Sequence, residues 1–288
     1  MFKHVGVVGA GTMGAGIAQV VALSKIDVLI YDINDTVLRR ANELIKADLR
    51  KGVQKGKLTQ DQVTETLERI HPRTALQDLG HCDLILEAVV EDLRTKKDIF
   101  KRLDETTKGT TILATNTSSL PVTAIAAGAR KSDRVVGLHF FNPVHIMKLV
   151  EVVRGEQTSD EVLNTSVAFA RHLGKTPVVV RDTPGFIVNR VARPFYGEAL
   201  RLLGEHVATV EQIDRLVKAE GGFAMGPFEL MDLIGIDVNL SVTQSMFDQY
   251  FSEPRFRPHP IQKQMVDSGK LGRKTGRGFY EYEEGERK

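Results

Sequence analysis

A glycine-rich turn near the N-terminus constrains this chain more than any other feature. An apolar run over residues 4–8 precedes it, and a helical stretch over residues 15–23 follows it. The turn reads Gly9-Ala10-Gly11-Thr12-Met13-Gly14. Glycines at this spacing let a buried strand reverse tightly into a helix, which is the opening unit of a parallel α/β sheet. Such a turn can bind a ligand, and the alternative is an ordinary structural turn that binds none.

The same order of strand and helix continues through the first two thirds of the chain. Continuous β-branched runs predict strands, and such runs are typical of parallel strands covered on both faces. Apolar residues at three- and four-residue spacing predict helices between them. The later strands are predicted over residues 28–31, 84–88, 111–115, 135–139, 149–153 and 177–181, and the later helices over residues 36–50, 59–70, 93–106 and 161–173. This alternation predicts a doubly wound α/β sheet.

The character of the chain changes after Pro184-Gly185. Beyond this point the apolar spacing predicts helices and few strands. The predicted helices cover residues 186–203, 210–219, 227–233, 238–250 and 261–268. We therefore predict a Rossmann-type domain over residues 1–183 and an all-α domain over residues 184–288.

Charge and composition exclude several classes of protein. There are 39 basic and 37 acidic residues, so the net charge of +2 argues against a strongly basic nucleic-acid binder. The longest apolar runs are far too short to span a membrane. The single cysteine, Cys82, cannot form an internal disulfide or a cysteine metal cluster. Because the first strand begins at residue 4, no room remains for a targeting peptide, and we expect a cytoplasmic protein without a metal, membrane or nucleic-acid partner.

Asp32 completes a dinucleotide-binding pattern with the glycine turn. It ends the second predicted strand, 18 residues after Gly14. The turn would bring backbone close to a pyrophosphate, and the helix N-terminus would supply unpaired N–H groups. The Asp32 carboxylate would accept hydrogen bonds from the adenosine ribose and repel a 2′-phosphate. We therefore predict NAD as the cofactor, the alternative for Asp32 being a plain helix N-cap.

Three features of the later strands indicate a reactive site. His139 ends a predicted strand, and ligands of open parallel sheets bind beyond the carboxyl ends of strands. A histidine placed there can act as a general base, although a structural histidine is the alternative. The small polar side chains of residues 115–119 suit either ligand binding or an ordinary strand-to-helix turn. Glu151 is an acidic group in an apolar strand, so it requires a partner, an arginine being the structural alternative.

Longer motifs resemble those of the L-3-hydroxyacyl-CoA dehydrogenases. The resemblance runs in order from residue 4 to about residue 282, and the length is similar to that of the bacterial members often called 3-hydroxybutyryl-CoA dehydrogenase. The motifs are Thr115-Asn116-Thr117-Ser118-Ser119-Leu120, Gly137-Leu138-His139-Phe140-Phe141-Asn142-Pro143, Met147-Lys148-Leu149-Val150-Glu151, Pro184-Gly185-Phe186-Ile187-Val188-Asn189-Arg190, Gly226-Pro227 with Asp232, and Gly272-Arg273-Lys274-Thr275-Gly276-Arg277-Gly278-Phe279-Tyr280.

The resemblance implies a role for individual residues. His139 would be the catalytic base and Glu151 its carboxylate partner. Ser118 and Asn189 would hold the reacting oxygen of the substrate. The implied NAD-binding residues are Gly9, Gly11, Thr12, Met13, Gly14, Asp32, Glu91, Lys96, Ser118, Asn142 and Lys274.

The resemblance also implies a contact with coenzyme A. A helical excursion from the nucleotide fold, over about residues 36–70, would carry this contact. Lys55 would bind a CoA phosphate from a basic cluster that also holds Arg50, Lys51 and Lys57. A solvated basic face is the alternative for this cluster.

The implied enzyme is an NAD-dependent oxidoreductase that interconverts (3S)-3-hydroxyacyl-CoA and 3-oxoacyl-CoA, with a short acyl chain such as 3-hydroxybutyryl. The apolar helices of residues 184–288 predict a homodimer. A hydroxyacid dehydrogenase that acts without CoA is one alternative, but such enzymes commonly use a catalytic lysine, and the His139–Glu151 pair argues against it. A non-catalytic binding protein on the same fold is the other alternative, and the full set of polar site residues argues against that.

Overall fold

One eight-stranded sheet organises the first of two units in this protein. The computed structural model describes residues 2–283, and these divide into a unit ending at Thr183 and a unit beginning at Pro184. The strand order is β3-β2-β1-β4-β5-β6-β7-β8. The strands are β1 His4–Val8, β2 Asp27–Tyr31, β3 Ile70–Arg73, β4 Leu84–Glu87, β5 Ile112–Thr115, β6 Val135–Phe140, β7 Leu149–Arg154 and β8 Thr176–Arg181.

Helices cover this sheet. They are α1 Thr12–Leu23, α2 Asp35–Gln54, α3 Gln60–Glu68, α4 Leu93–Thr106, α5 Val122–Ala126 and α6 Asp160–His172. α3 begins where the sequence predicts it, because Thr59 and Gln62 form a capping box. The central strands β1 and β4 are buried on both faces, since the successive residues Val7 and Val8 on β1 and Ile85 and Leu86 on β4 are all at 0% exposure. The predicted doubly wound α/β fold is confirmed.

The seven predicted strands lie within one residue of the observed ends, but an eighth strand was not predicted. β3 lies at one edge of the sheet and pairs in parallel with β2. Its Pro72 is tolerated because an edge strand does not need every backbone N–H. The helix expected to run to residue 70 therefore ends at Glu68, and the chain returns to the sheet at Ile70.

The expectation that all strands are parallel and doubly covered is wrong at the other end of the sheet. β7 runs antiparallel to β6, because the eight residues 141–148 between them are too few for a crossover helix. β8 is the edge strand there, and Val179 is 51% exposed. A continuous β-branched run predicts a strand correctly, but it does not show whether a second layer covers that strand.

The second unit is helical, as predicted. Its helices are α7 Val188–Gly204, α8 Val210–Ala219, α9 Pro227–Ile234, α10 Ile236–Gln249 and α11 Pro260–Asp267. Two isolated bridges, Gly272 to Arg277 and Arg277 to Glu281, are the only β pairing among its described residues. Within residues 2–283 no helix is both long enough and apolar enough to cross a membrane.

Two buried aspartates fix the last described segment to the helices of the second unit. Asp214 accepts hydrogen bonds from the backbone N–H of Phe228 and from the Tyr280 hydroxyl. Asp232 accepts them from the backbone N–H groups of Phe279 and Tyr280. Burial raises the pKa of both carboxyl groups. These buried polar contacts therefore hold Phe279 and Tyr280 against α8 and α9.

Candidate active site

A cavity of about 710 Å³ opens at the carboxyl ends of β1, β2 and β4 in the first unit. This volume lies within the range of pockets that hold small molecules and cofactors. Five predicted NAD-binding residues line it: Gly9, Gly11, Thr12, Met13 and Asp32. Gly14, Glu91, Lys96, Ser118 and Asn142 belong to the same unit but do not line the cavity.

Each of the three glycines of the turn has a different physical reason to be glycine. Gly9 has a φ of +96°, and a Cβ there would lie 2.7 Å from the carbonyl oxygen of Ala88. A Cβ at Gly14 would lie 1.8 Å from the carbonyl oxygen of Gly9, so only glycine lets α1 start this close to β1. A Cβ at Gly11, the N-cap of α1, would meet nothing within 4 Å. The open space at the helix N-terminus is where a pyrophosphate would sit.

The Asp32 carboxylate is fixed at the wall of this cavity. Its two oxygens accept hydrogen bonds from the backbone N–H groups of Ala10, at 2.9 Å, and Asn34, at 3.0 Å. The N-cap of α2 is Asn34, whose side chain accepts from Thr36. The alternative interpretation of Asp32 as a helix N-cap is therefore wrong. The carboxylate joins the end of β2 to the glycine turn.

Apolar side chains form the remaining walls of the cavity, and the sequence motifs did not predict them. Ile33 is 83% exposed and Val90 is 68% exposed, and both line the cavity. Val37, Val89 and Ile99 extend the apolar surface. Their positions in the sequence could have indicated them, because Ile33 follows Asp32 and Val90 lies just beyond β4. A helix N-terminus, a fixed carboxylate and an apolar wall together fit an adenine dinucleotide.

The sequence motifs also did not predict a buried ion pair at the end of β4. Glu87 is 0% exposed, and its Oε1 lies 2.6 Å from the Lys96 ammonium. Glu87 also accepts hydrogen bonds from the Val89 N–H and the Thr115 hydroxyl. These bonds satisfy both charges, as burial requires. The Lys96 ammonium forms ion pairs with acidic side chains. Its predicted contact with the cofactor stays a prediction.

Glu91 connects this ion pair to the loop that follows β5. Its Oε2 lies 3.3 Å from the Lys96 ammonium. Its Oε1 accepts hydrogen bonds from the Thr117 hydroxyl and from the backbone N–H groups of Ser118 and Ser119. Burial opposes ionisation of this carboxyl, but Lys96 and the Thr117 hydroxyl outweigh it and lower its pKa. The structure thus brings Glu91, Lys96 and Ser118 into one network.

His139 and Glu151 face each other across two strands. They are directly opposite in the antiparallel register of β6 and β7. The imidazole Nδ1 lies 2.7 Å from the Glu151 Oε2, and both side chains are buried. The carboxylate partner is thus placed to hold the ring orientation. The Phe141 ring lies 4.4 Å from the imidazole ring, centroid to centroid.

Asn116 and Asn142 lie near the end of β6 in different ways. The Asn116 side-chain oxygen accepts a hydrogen bond from the backbone N–H of Phe140 at 2.9 Å, which ties the loop after β5 to β6. Asn142 lies two residues beyond β6, is exposed, and precedes a cis peptide bond to Pro143. The carboxyl ends of the parallel strands β5 and β6 therefore carry Ser118, His139 and Asn142 at one edge of the sheet.

The remaining predicted residues lie elsewhere in the two units. Lys55 is exposed at the C-cap of α2. In the second unit, Asn189 lies in the first turn of α7. The Lys274 ammonium lies 2.6 Å from each carboxylate oxygen of Asp237. No group of histidine, cysteine and acidic side chains among residues 2–283 has the arrangement of a metal site.

Two family models match this chain. Residues 4–183 match "3-hydroxyacyl-CoA dehydrogenase, NAD binding domain", and residues 185–282 match "3-hydroxyacyl-CoA dehydrogenase, C-terminal domain". Together they account for nearly all of the chain, and the first of them is an NAD-binding model.

Similar proteins have matching descriptions. The chain is 45% identical over 277 residues to a probable 3-hydroxybutyryl-CoA dehydrogenase of Deinococcus radiodurans, covering 96% of this chain and 99% of that one. It is 49% identical over 280 residues to the 3-hydroxyadipyl-CoA dehydrogenase of Escherichia coli, covering 97% of this chain but only 59% of that one. The crystal structure of (S)-3-hydroxybutyryl-CoA dehydrogenase from Ralstonia eutropha superposes with a TM-score of 0.94 at 40% identity, covering 99% of this chain and 100% of that one.

The glycine turn offers a matched pair of variants. Gly14→Ala places a methyl group against the Gly9 carbonyl, so we expect it to lower the free energy of unfolding by about 1–3 kcal/mol. Gly11→Ala places the methyl group in open space, so the melting temperature should stay near that of wild type while the Kd for NADH rises about tenfold. Thermal denaturation and NADH fluorescence titration measure the two effects. A Gly11→Ala protein with unchanged NADH affinity would contradict this use of the cavity.

We predict that Asp32 sets the choice between NAD and NADP. Asp32→Ala should weaken NADH binding by roughly tenfold to a hundredfold, since a charged hydrogen-bond acceptor is lost. NADPH binding should change less, so the gap between the two cofactors narrows. Titration of both cofactors against wild type and variant tests this. A wild-type protein that prefers NADPH would refute the role given to Asp32.

Proposed function

Because this chain belongs to the 3-hydroxyacyl-CoA dehydrogenase family, we propose that it interconverts (3S)-3-hydroxyacyl-CoA and 3-oxoacyl-CoA with His139 as the general base. The observation that carries this proposal is the 2.7 Å contact between the His139 Nδ1 and Glu151 at the end of β6. A short acyl chain, such as 3-hydroxybutyryl, is supported by the names of several relatives.

The proton chemistry follows from this contact. With the Nδ1 proton donated to Glu151, the ring nitrogen Nε2 is the atom that takes the proton from the substrate hydroxyl. NAD⁺, when bound, supplies the acceptor for the hydride that leaves carbon 3. The imidazolium that forms is stabilised by the carboxylate 2.7 Å away, as in other pairs of a catalytic histidine with an acidic side chain. In the opposite direction, the same imidazolium returns the proton to the oxygen.

The other residues bind and orient. We propose that Ser118 and Asn189 hydrogen-bond the reacting oxygen, which carries partial negative charge in the transition state. The network of Glu91 and Lys96 fixes the backbone of Ser118 and so fixes the position of its side chain. Residues of the cavity from Gly9 to Asp32 bind the dinucleotide, Asn142 and Lys274 contribute to cofactor binding, and Lys55 binds a phosphate of coenzyme A.

A homodimer is supported by apolar side chains that the second unit exposes, among them Val207, Leu216 and Phe223, each more than half exposed. Burial of such side chains favours association. We propose a cytoplasmic homodimer, and its mass in light scattering tests the oligomeric state.

A direct assay separates this function from the alternatives. NADH should be consumed with acetoacetyl-CoA and not with free acetoacetate. Consumption of free acetoacetate at an equal rate would favour a hydroxyacid dehydrogenase that does not need CoA. A binding protein would consume NADH with neither substrate.

The role of His139 can be tested against a nearby histidine. His139→Ala should lower kcat about 10²–10⁴-fold, which is the usual contribution of a general base. NADH affinity should stay near that of wild type, because His139 does not line the cavity. His145, exposed beyond β6, provides the control, and His145→Ala should keep wild-type turnover. A His139→Ala enzyme with normal kcat would remove His139 from the reaction.

Glu151 acts through His139, so its variants separate charge from shape. Glu151→Gln keeps the size of the side chain but loses the charge, and kcat should fall on the order of 10²-fold or more while the melting temperature changes little. Glu151→Asp keeps the charge on a shorter side chain and should recover part of kcat. Steady-state kinetics with thermal denaturation measures both. Equal activity of Glu151→Gln and wild type would reduce Glu151 to a structural partner.

A further inference from the structure

A buried lysine holds the loop that follows β6. This β6–β7 loop, residues 141–148, begins two residues beyond His139. Lys175 lies just before β8 and is 8% exposed. Its ammonium donates hydrogen bonds to two backbone carbonyls of the loop, that of Val144 and, at 2.9 Å, that of Met147. One side chain of the first unit thus holds the loop at two points.

A tight turn after α6 brings Lys175 to this position. Gly174 has a φ of +70°, which ends the helix, and the backbone N–H of Lys175 donates to the carbonyl of Ala170. The next residue, Thr176, donates its backbone N–H to the carbonyl of Lys148 at 2.8 Å. The backbone on both sides of the lysine is therefore fixed before its side chain reaches the loop.

The lysine and the loop satisfy each other's polar groups. No acidic side chain among residues 2–283 forms an ion pair with Lys175, in contrast to Lys96. Burial and the charge of nearby Lys148 lower the pKa of Lys175. A buried ammonium is costly unless its N–H groups are bonded, and a buried carbonyl is costly without a donor. Because Val144 is 2% exposed, its carbonyl needs the donor that Lys175 provides.

Val144 also packs the loop against α1, the helix that starts at the glycine turn. Gly16 lies inside α1, where glycine is less stable than alanine. A Cβ at Gly16 would lie 2.9 Å from the Val144 Cγ2, well inside the contact distance of two carbon atoms. Gly16 therefore leaves a notch in α1 that the Val144 side chain fills. The N-cap of the same helix, Gly11, lines the dinucleotide cavity.

We propose that Lys175 is a positioning residue for the cofactor. It holds the β6–β7 loop in the Gly16 notch, and the loop in turn keeps Asn142 and the start of α1 in place for NAD. This inference rests on the proposed function, because it takes Asn142 as a cofactor contact. Lys175 does not line the cavity, so it acts through the loop. His139 and Glu151 are held by the pairing of β6 with β7, so the affinity for the cofactor should depend on Lys175 more than the chemical step does.

Lys175→Met is the first test, because it removes both hydrogen bonds and keeps an unbranched side chain. We expect the Kd for NADH to rise about tenfold, as for the loss of hydrogen bonds from a charged group. At saturating NADH and acetoacetyl-CoA, kcat should stay within about threefold of wild type. Fluorescence titration gives the Kd and steady-state kinetics gives kcat. A wild-type protein that binds NADH without reducing acetoacetyl-CoA would refute the proposed function, whereas the Kd comparison would still decide the role of Lys175.

Arg134 provides a matched control for the loss of stability. It is 4% exposed, and its guanidinium donates to two backbone carbonyls, those of Lys108 at 2.6 Å and Thr111 at 2.9 Å. It precedes β6, at the opposite end of that strand from the loop. Arg134→Met should lower the melting temperature and keep the wild-type Kd for NADH. Wild-type NADH affinity in a folded Lys175→Met protein would overturn the proposal, as would an equal loss of affinity in Arg134→Met.

The notch provides a second test, which decides if Lys175→Met does not fold. Gly16→Ala presses a methyl group on Val144 and leaves Lys175 unchanged, so the Kd for NADH should rise about threefold or more. Adding Val144→Ala removes the Cγ2 atom that clashes, and the double variant should bind NADH more tightly than Gly16→Ala alone. An unchanged Kd in Gly16→Ala, or no recovery in the double variant, would overturn the link between the loop and the cofactor.

Discussion

The antiparallel pairing of β6 with β7 is the constraint on which the proposed chemistry depends. Parallel strands continue the doubly wound sheet up to β6, and the short segment of residues 141–148 then reverses the chain. The reversal places His139 directly opposite Glu151 and allows a 2.7 Å hydrogen bond between their side chains. Both groups are thereby held by backbone hydrogen bonds of a buried sheet, which fixes their orientation before any ligand binds.

Buried charges in the first unit also hold side chains and loops in a fixed orientation. Lys96 lies between Glu87 and Glu91, and these carboxylates also accept hydrogen bonds from residues after β4 and β5. Such an arrangement is costly in desolvation unless every group is satisfied. The satisfied network ties α4 to two strand ends and fixes the loop that carries Ser118. We propose that the network contributes to function by placing that loop.

The sequence by itself determined the parts of this protein that depend on local pattern. Periodicity located seven of eight strands, the glycine turn and Asp32 indicated the dinucleotide site, and the motifs around His139 and Glu151 indicated the family. Only the tertiary structure decided what depends on distant neighbours. The pairing of β3 at the sheet edge, the exposed side chains of Ile33 and Val90 in the cavity wall, and the buried ion pair of Glu87 with Lys96 are of this kind. The physical reason is that a local pattern specifies backbone conformation, whereas burial and charge pairing are set by residues that folding brings together from far along the chain.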